Sequence, residues 1–536
     1  MVNLKQGIFS KQNSQNYSID LPEKQIDCDV VIIGSGAGGG ISAEILSRSG
    51  LKVVIVEEGP LRTAVDFKMQ EKIAYADLYQ EVAGRQTMDK GIHILQGRTV
   101  GGSTTVNWTS SFRTPKETLN FWQSEFSVKG LLKDELSPWF EWVEKRLNIS
   151  PWLIPPNKNN QLLANGAAKL GWSYAVIPRN VNGCANLGYC GLGCPIDAKQ
   201  SMLVTTIPTA LQNGAKLISR ARAESLVIEK DRVNGVWLSA MDQQGQVKQK
   251  NVTKITAKRV LLSAGAIGSP AVLLRSNVPD PYKTLGRRTF LHPVSVTIAK
   301  MAEKVEAFSG APQSIYSDEF LWRDGVSGEI GYKMEVPPMH PVLSSTLLIK
   351  HGEQHTDLMK DLPFYQANLA LLRDGFNDDS PGGQVSLDSN GYPQLDYKIT
   401  PTLWRGLRQA MLSMCELQFA ADAKQVLPLH LDATIQSSWS KAKSLIKQLP
   451  AEKLRWQTMS AHVMGGCGMG KNAKESVVNS LGQHHQLENL TLIDGSLFPT
   501  SLGVNPQLTI YSIAAKLASQ VVISFNAQLP EDLQGL

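Results

Sequence analysis

Between residues 29 and 57 the chain carries two short, almost wholly apolar runs, split by a glycine-rich break and a helically spaced segment. The first, Asp29-Val-Val-Ile-Ile-Gly34, lacks polar alternation, the pattern of a strand buried on both faces of a parallel sheet. Gly-Ser-Gly-Ala-Gly-Gly follows, then Ile41 to Ser47 with helical spacing, then Val53-Val-Ile-Val56 ending on Glu57. This predicts one β–α–β unit in about thirty residues. Residues 307–397 instead alternate apolar and polar positions, broken by Gly, Pro, Asn and Asp. A period of two marks strands with one buried face, so a mostly antiparallel sheet is predicted there. The last periodic segment, Pro506 to Val522, places Leu508, Tyr511, Ile513, Leu517 and Val521 at helical intervals and opens on Asn505-Pro506.

These patterns predict an α/β protein: a Rossmann-like nucleotide-binding domain, and a second domain built on a mostly antiparallel sheet over the substrate site. Residues 25–300 and 455–530 are assigned to the first, with insertions, and residues 301–454 mainly to the second. The length of 536 residues agrees, being too great for one ordinary core. Hydrophobic residues at 42% and charged residues at 19% exclude disorder. The net charge of +6 is spread along the chain, so no nucleic-acid footprint is visible. Residues 1–24 are polar without a signal-like apolar run, and no apolar stretch is long enough to span a bilayer. The expected location is the cytoplasm, with export on a signal-bearing partner left open.

The glycine run has a specific use. Gly34 permits the tight turn after the strand, Gly36 lets a pyrophosphate approach the backbone, and Gly39 lets the helix pack against the sheet. The helix start offers free N–H groups to phosphates, and Glu57 is placed to accept hydrogen bonds from a ribose. This motif does not by itself separate FAD from NAD.

Four further segments resemble the glucose–methanol–choline family of FAD-dependent oxidoreductases. Gly97-Arg-Thr-Val-Gly-Gly-Ser-Thr-Thr-Val-Asn107 is similar to the family's first signature, a loop along the FAD pyrophosphate; the resemblance implies cofactor contacts from Arg98, Gly101, Gly102, Ser103 and Asn107. Gly265-Ala-Ile-Gly-Ser-Pro270 resembles the second signature, although Asn277 stands after Ser276 where the family usually has glycine. Asp494-Gly-Ser-Leu-Phe-Pro499 resembles the segment contacting the ribityl chain, and Asn505-Pro506 opens the family's C-terminal helix. The segments stand in family order from about residue 27 to 525. Ala461-His-Val-Met-Gly-Gly-Cys-Gly-Met-Gly470 and Leu291-His-Pro-Val294 are most similar to members oxidising long-chain alcohols.

The resemblance implies bound FAD and oxidation of a small-molecule alcohol. Such a reaction needs a base for the hydroxyl proton, and histidine holds and releases protons near neutrality. His462 occupies the family's catalytic position amid Gly465, Gly466, Gly468 and Gly470. Asn505 stands where many members have a second histidine, which implies one base. It is read both as holder of the substrate oxygen and as the N-cap of the helix beginning at Pro506. The positive end of that helix would stabilise an anionic reduced flavin. His292 is read as a core histidine, His93 as a residue that could line the flavin site, and His484-His485 as exposed. Two rival readings keep the fold: a redox-neutral flavin lyase or decarboxylase, and an electron-transfer flavoprotein subunit.

Of six cysteines, Cys184, Cys190 and Cys194 fall in Gly183-Cys-Ala-Asn-Leu-Gly-Tyr-Cys-Gly-Leu-Gly-Cys-Pro195. The spacing does not match the usual zinc pairs. Two readings stay open: reduced cysteines in a structural loop, or ligands of a three-iron, four-sulfur cluster, as cytochrome-linked relatives carry on a similar segment. The second implies a dehydrogenase with a cytochrome or quinone acceptor.

Overall fold

The computed structural model describes residues 8–9, 25–348 and 350–536. Strands Gln25–Ile33 and Val53–Val56 are parallel neighbours, Val30 opposite Val53 and Ile33 opposite Val56, with helix Ala37–Arg48 between them in the chain. Val30, Val31, Ile32, Val54 and Ile55 are all buried, as continuous apolar strands must be when both sheet faces are covered. The C-terminal helix Gln507–Ser524 and helix Thr206–Gln212 pack against Ala37–Arg48.

The sheet has eight strands, running Ile8–Phe9, Lys216–Ile218, Val53–Val56, Gln25–Ile33, Val247–Leu262, Arg232–Met241 and Ala221–Glu229, with Leu490–Leu492 beside Val247–Leu262. The long strand Val247–Leu262 serves two partners. Its first half pairs antiparallel with Arg232–Met241, and its second half runs parallel to Gln25–Ile33 and Leu490–Leu492.

A second eight-stranded sheet is antiparallel at every junction except His93–Ile94 with Met459–Ser460. Its centre is Val294–Lys300, Tyr365–Leu372, Tyr332–Glu335 and Ile315–Phe320. Helix Pro401–Ala420 packs against the first three of these strands. The sheet also takes Ala175–Val176 and Gln425–Pro428, so its strands interleave along the chain with those of the first sheet. Two helices, Pro341–Leu347 and Gly352–Lys360, interrupt the stretch whose alternation predicted sheet. A four-stranded sheet of Pro393–Asp396, Gly383–Leu387, Arg287–Phe290 and Met464–Gly465 completes the framework. The predicted fold class, α/β with a mostly antiparallel second sheet, is the one seen. Among the described residues no helix is long and apolar enough to cross a membrane. Most of residues 1–24 lies outside the described residues.

Candidate active site

A cavity of about 800 Å³ is lined from both large sheets, from the Gly34 turn to the start of the C-terminal helix. Its first end is made of backbone. Gly34 has φ +99°, and a Cβ there would strike the Ser263 carbonyl. Gly36 faces Gly102: a Cβ on Gly102 would lie 2.8 Å from Gly36 Cα, whereas a Cβ on Gly36 would meet only Gly102 Cα, 3.8 Å away. Helix Ala37–Arg48 has no side-chain cap and no acidic residue in its first turn. Its start reaches the cavity through Gly36, Ala37 and Gly38. Uncapped N–H groups and the positive dipole end therefore face a gap that only glycines keep open, which fits a pyrophosphate. Arg98 adds a buried Nε without a hydrogen-bond partner at the same wall.

Glu57 lines this end with both carboxylate oxygens engaged. Oε2 accepts from Ser35 N at 3.1 Å and Ser35 Oγ at 2.6 Å, and Oε1 accepts from Gly59 N at 2.8 Å. Burial raises its pKa while these bonds oppose the rise. A carboxylate offers about four acceptor sites, so Oε1 keeps capacity for a hydroxyl. Gly39 and Gly101 do not line the cavity. A Cβ on Gly39 would collide with Gly34 O, so this glycine sets the helix-to-strand packing. Gly101 N donates to Ser35 Oγ at 3.0 Å and ties the two glycine loops together.

Ser103 Oγ accepts from Gly97 N at 3.0 Å, and Asn107 Nδ2 donates to Gln507 Oε1 at 2.6 Å. Asp494 caps the short turn Gly495–Leu497 and accepts from Gly265 N at 2.8 Å and Ser269 Oγ at 2.6 Å. All three line the cavity, as does Pro506. Asn277 takes φ +49°, a left-handed conformation that asparagine tolerates in place of glycine.

His462 lines the cavity, half-buried, and desolvation there pushes its pKa down to about 3, with the positive charge of Lys333 as the second cause. His462 Nδ1 lies 3.2 Å from His292 Nδ1, and Gly503 N donates to His292 Nε2 at 3.0 Å. Burial first, then His462 and Lys333, hold the His292 pKa well below the ordinary range. Both rings are therefore neutral at physiological pH. Because His292 Nε2 accepts from Gly503, its hydrogen sits on Nδ1 and is donated to His462. Neutral His462 then carries its own hydrogen on Nε2, which has no hydrogen bond to the described residues. His292, read from sequence as a core histidine, is thus the partner that sets the His462 tautomer. It holds a left-handed φ of +47°, and Asp374 accepts from its N at 3.2 Å and from Leu291 N at 3.1 Å. A non-glycine residue in that region is strained and persists where surrounding bonds dictate it.

Asn505 also lines the cavity but does not cap the helix. Helix Gln507–Ser524 begins after Pro506 and has no side-chain cap. The Asn505 amide bonds instead to Lys333 and Glu335, two residues sequence reasoning passed over. Their signal was present: opposite charges two apart in the otherwise apolar strand Tyr332–Glu335.

Two further expectations are met differently. His93 is exposed, bonds to Gln86 and does not line the cavity. His484 is buried, not exposed, and its Nδ1 accepts from Gln486 N at 3.2 Å. The three cysteines share one loop, but no group of three His, Cys, Asp or Glu side chains is gathered for a metal among the described residues. Arg179 Nη2 donates to Cys190 Sγ at 3.5 Å, and Lys199 Nζ donates to Cys190 O at 2.6 Å. These contacts tie Cys190 to Arg179 and Lys199.

Residues 75–294 match the N-terminal part of the GMC oxidoreductases, and residues 379–514 match the C-terminal part. A long-chain-alcohol oxidase of Arabidopsis thaliana is 31% identical, over 94% of this chain and 68% of its own. An uncharacterized GMC-type oxidoreductase of Sinorhizobium fredii is 29% identical, over 92% and 95%. Among solved structures, a formate oxidase of Aspergillus oryzae superposes with a TM-score of 0.71 at 15% identity, covering 94% of this chain and 99% of its own. By these matches and by the order of its glycine loops, the chain belongs to the glucose–methanol–choline (GMC) oxidoreductase family.

Proposed function

We propose that the protein binds FAD and oxidises an alcohol carrying an apolar chain, with His462 exchanging the hydroxyl proton and Asn505 holding the oxygen. One observation carries this reading: His462 and Asn505 share a cavity with the glycine cradle and with the apolar residues Val294, Leu369, Leu371 and Met459. The cradle residues Gly34, Gly36, Gly102 and Arg98 would hold the pyrophosphate, and Glu57 the ribose. Asn107, Asp494 and Pro506 line the same cavity. When bound, FAD supplies the two-electron acceptor.

His462 Nε2 is the proton-exchanging atom. In the neutral pair it carries a hydrogen and donates to the oxygen of a carbonyl product. It accepts a hydroxyl proton in the alternative arrangement, with the His462 hydrogen on Nδ1 and the His292 hydrogen on Nε2. That switch turns the His292 Nε2–H against the Gly503 N–H and leaves both donors unpaired, at roughly 1–3 kcal/mol each. The apolar wall positions an alkyl chain and excludes water from the exchange. The similarity to long-chain-alcohol oxidases supports an aliphatic substrate.

The test is anaerobic mixing of the yellow protein with a panel of aliphatic alcohols. Bleaching of the flavin band, faster with longer chains, is expected. No bleaching by any alcohol overturns the reading, and a redox-neutral flavin enzyme or a bare electron carrier then takes its place.

A further inference from the structure

Strand Tyr332–Glu335 places Lys333 and Glu335 on one side of the sheet, two residues apart. Both side chains are completely removed from solvent, with Lys333 Nζ 3.0 Å from Glu335 Oε1. The ring closes through the site: Lys333 Nζ donates to Asn505 Oδ1 at 3.2 Å, and Asn505 Nδ2 donates to Glu335 Oε2 at 3.2 Å. Lys333 Nζ also lies over the rings of Phe112 and Tyr316, at 2.9 and 4.5 Å from their centroids. A buried ion pair is an expensive way to fill space, since an apolar pair of similar volume is often as stable. Its placement against a cavity residue asks what else it does.

The answer lies in donor and acceptor inventories. An ammonium only donates and an ionised carboxylate only accepts, whereas an amide does both. One of the two orientations of the Asn505 amide satisfies both partners. The other sets NH₂ against the ammonium and oxygen against the carboxylate. Orientation, ordinarily a matter of assignment, is here fixed by chemistry. Oδ1 is turned to Lys333, one Nδ2 hydrogen goes to Glu335, and the second is what the amide can offer the cavity beside His462. Burial lowers the Lys333 pKa to about 8, opposed by Glu335, so the lysine remains an ammonium donor at neutral pH.

We propose that Lys333 and Glu335 are positioning residues that fix the Asn505 amide so that it presents an N–H, and not its oxygen, to the substrate oxygen. The proposal rests on the alcohol-oxidising reading above and adds the devices that orient its second polar group. Asn505 Nδ2 and the His462 Nε2–H then offer two donors in one cavity, suited to an alkoxide or a carbonyl oxygen.

The experiment compares Glu335→Gln with Glu335→Leu in the FAD-loaded protein. Both remove the same charge; Gln keeps one oxygen that can accept from Asn505 Nδ2, its NH₂ then turned toward Lys333, whereas Leu keeps none. In anaerobic flavin reduction at saturating alcohol, Glu335→Gln should stay within about threefold of the parent, and Glu335→Leu should be about 10- to 100-fold slower, the usual effect of a misplaced reacting group. Adding Asn505→Ala to Glu335→Leu should slow it less than about twofold further, because the pair acts through that amide. Equal rates for Gln and Leu, or losses that multiply with Asn505→Ala, overturn the proposal. If Glu335→Leu does not fold, Lys333→Met removes the donor to Oδ1 and is read by the same cycle. If no alcohol reduces the parent, the alcohol reading fails, and decanoate binding, followed as a shift of flavin absorbance, still decides the orientation. Decanoate oxygens only accept, so the parent and Glu335→Gln should bind it about tenfold tighter than Glu335→Leu. Equal affinities, or a parent unperturbed by decanoate, overturn the orientation.

Discussion

Acidification separates a buried proton-exchanging histidine from an ordinary one. A histidine titrating near 6.5 is only about 3% neutral at about pH 5, so a rate that needs the neutral ring falls roughly thirtyfold from its plateau. Burial, and secondarily the charge of Lys333, push His462 down to about 3. At about pH 5 roughly 99% of it remains neutral. Burial, with His462 and Lys333, holds His292 well below its ordinary range as well. The rate of flavin reduction at saturating alcohol, followed by anaerobic stopped flow between about pH 5 and 7.5, should therefore be flat. Staying below about 8 keeps Lys333 charged throughout. The same shift has a stability consequence of defined sign. The folded pKa lies below the unfolded one, so the stability it confers is present above about 6.5 and is lost as pH falls toward about 3. At about pH 5 the loss from His462 is about 2 kcal/mol, from 1.5 units at 1.36 kcal/mol each. The melting temperature should thus fall on acidification while the rate of the folded fraction does not, and His462→Gln should lessen the melting slope. A rate that declines with an apparent pKa near 6.5 would refute the buried, neutral assignment.

His462→Ala should keep FAD and reduce it about 100-fold more slowly or worse, the usual worth of a positioned proton-transfer group; a rate equal to the parent's removes His462 from the chemistry. His292→Leu should also slow reduction, about tenfold, because the His462 ring loses the partner that holds its tautomer; unchanged kinetics would show that the 3.2 Å contact is incidental. Gly36→Val should fold with an unchanged far-ultraviolet spectrum yet lose most of its FAD, since a side chain there meets little protein and fills the gap opposite Gly102. Metal analysis of anaerobically purified protein should find FAD without stoichiometric iron or sulfide; about three irons per chain, lost in Cys190→Ser, would restore the cluster reading of Cys184, Cys190 and Cys194.

What the sequence made legible was whatever depends on local spacing. The β–α–β unit could be read because both strands are buried on two faces and so cannot alternate, and because Gly34, Gly36 and Gly39 stand at fixed local spacing between them, although only Gly39 packs on a near neighbour, Gly34, while Gly34 and Gly36 face Ser263 and Gly102. The cap reading of Asn505 failed for the complementary reason. Asparagine before proline is a sound local signal for a helix start, yet the partners that claim its amide lie 172 and 170 residues away in the chain. His484 failed likewise, as polar neighbours suggested exposure while the fold buries the ring. His292 shows the limit most clearly. Its position was visible, but its tautomer depends on Gly503, 211 residues distant, and its strained backbone on Asp374, 82 residues distant. Composition around a residue reports whether backbone can approach a ligand. Which way a hydrogen points is decided by donors and acceptors that tertiary packing delivers, and for His462 and Asn505 those come from the second sheet and from the loop before the last helix. A glycine signature thus marks from sequence where backbone leaves room for a ligand, whereas the polarity offered to the cavity is read only from the folded chain.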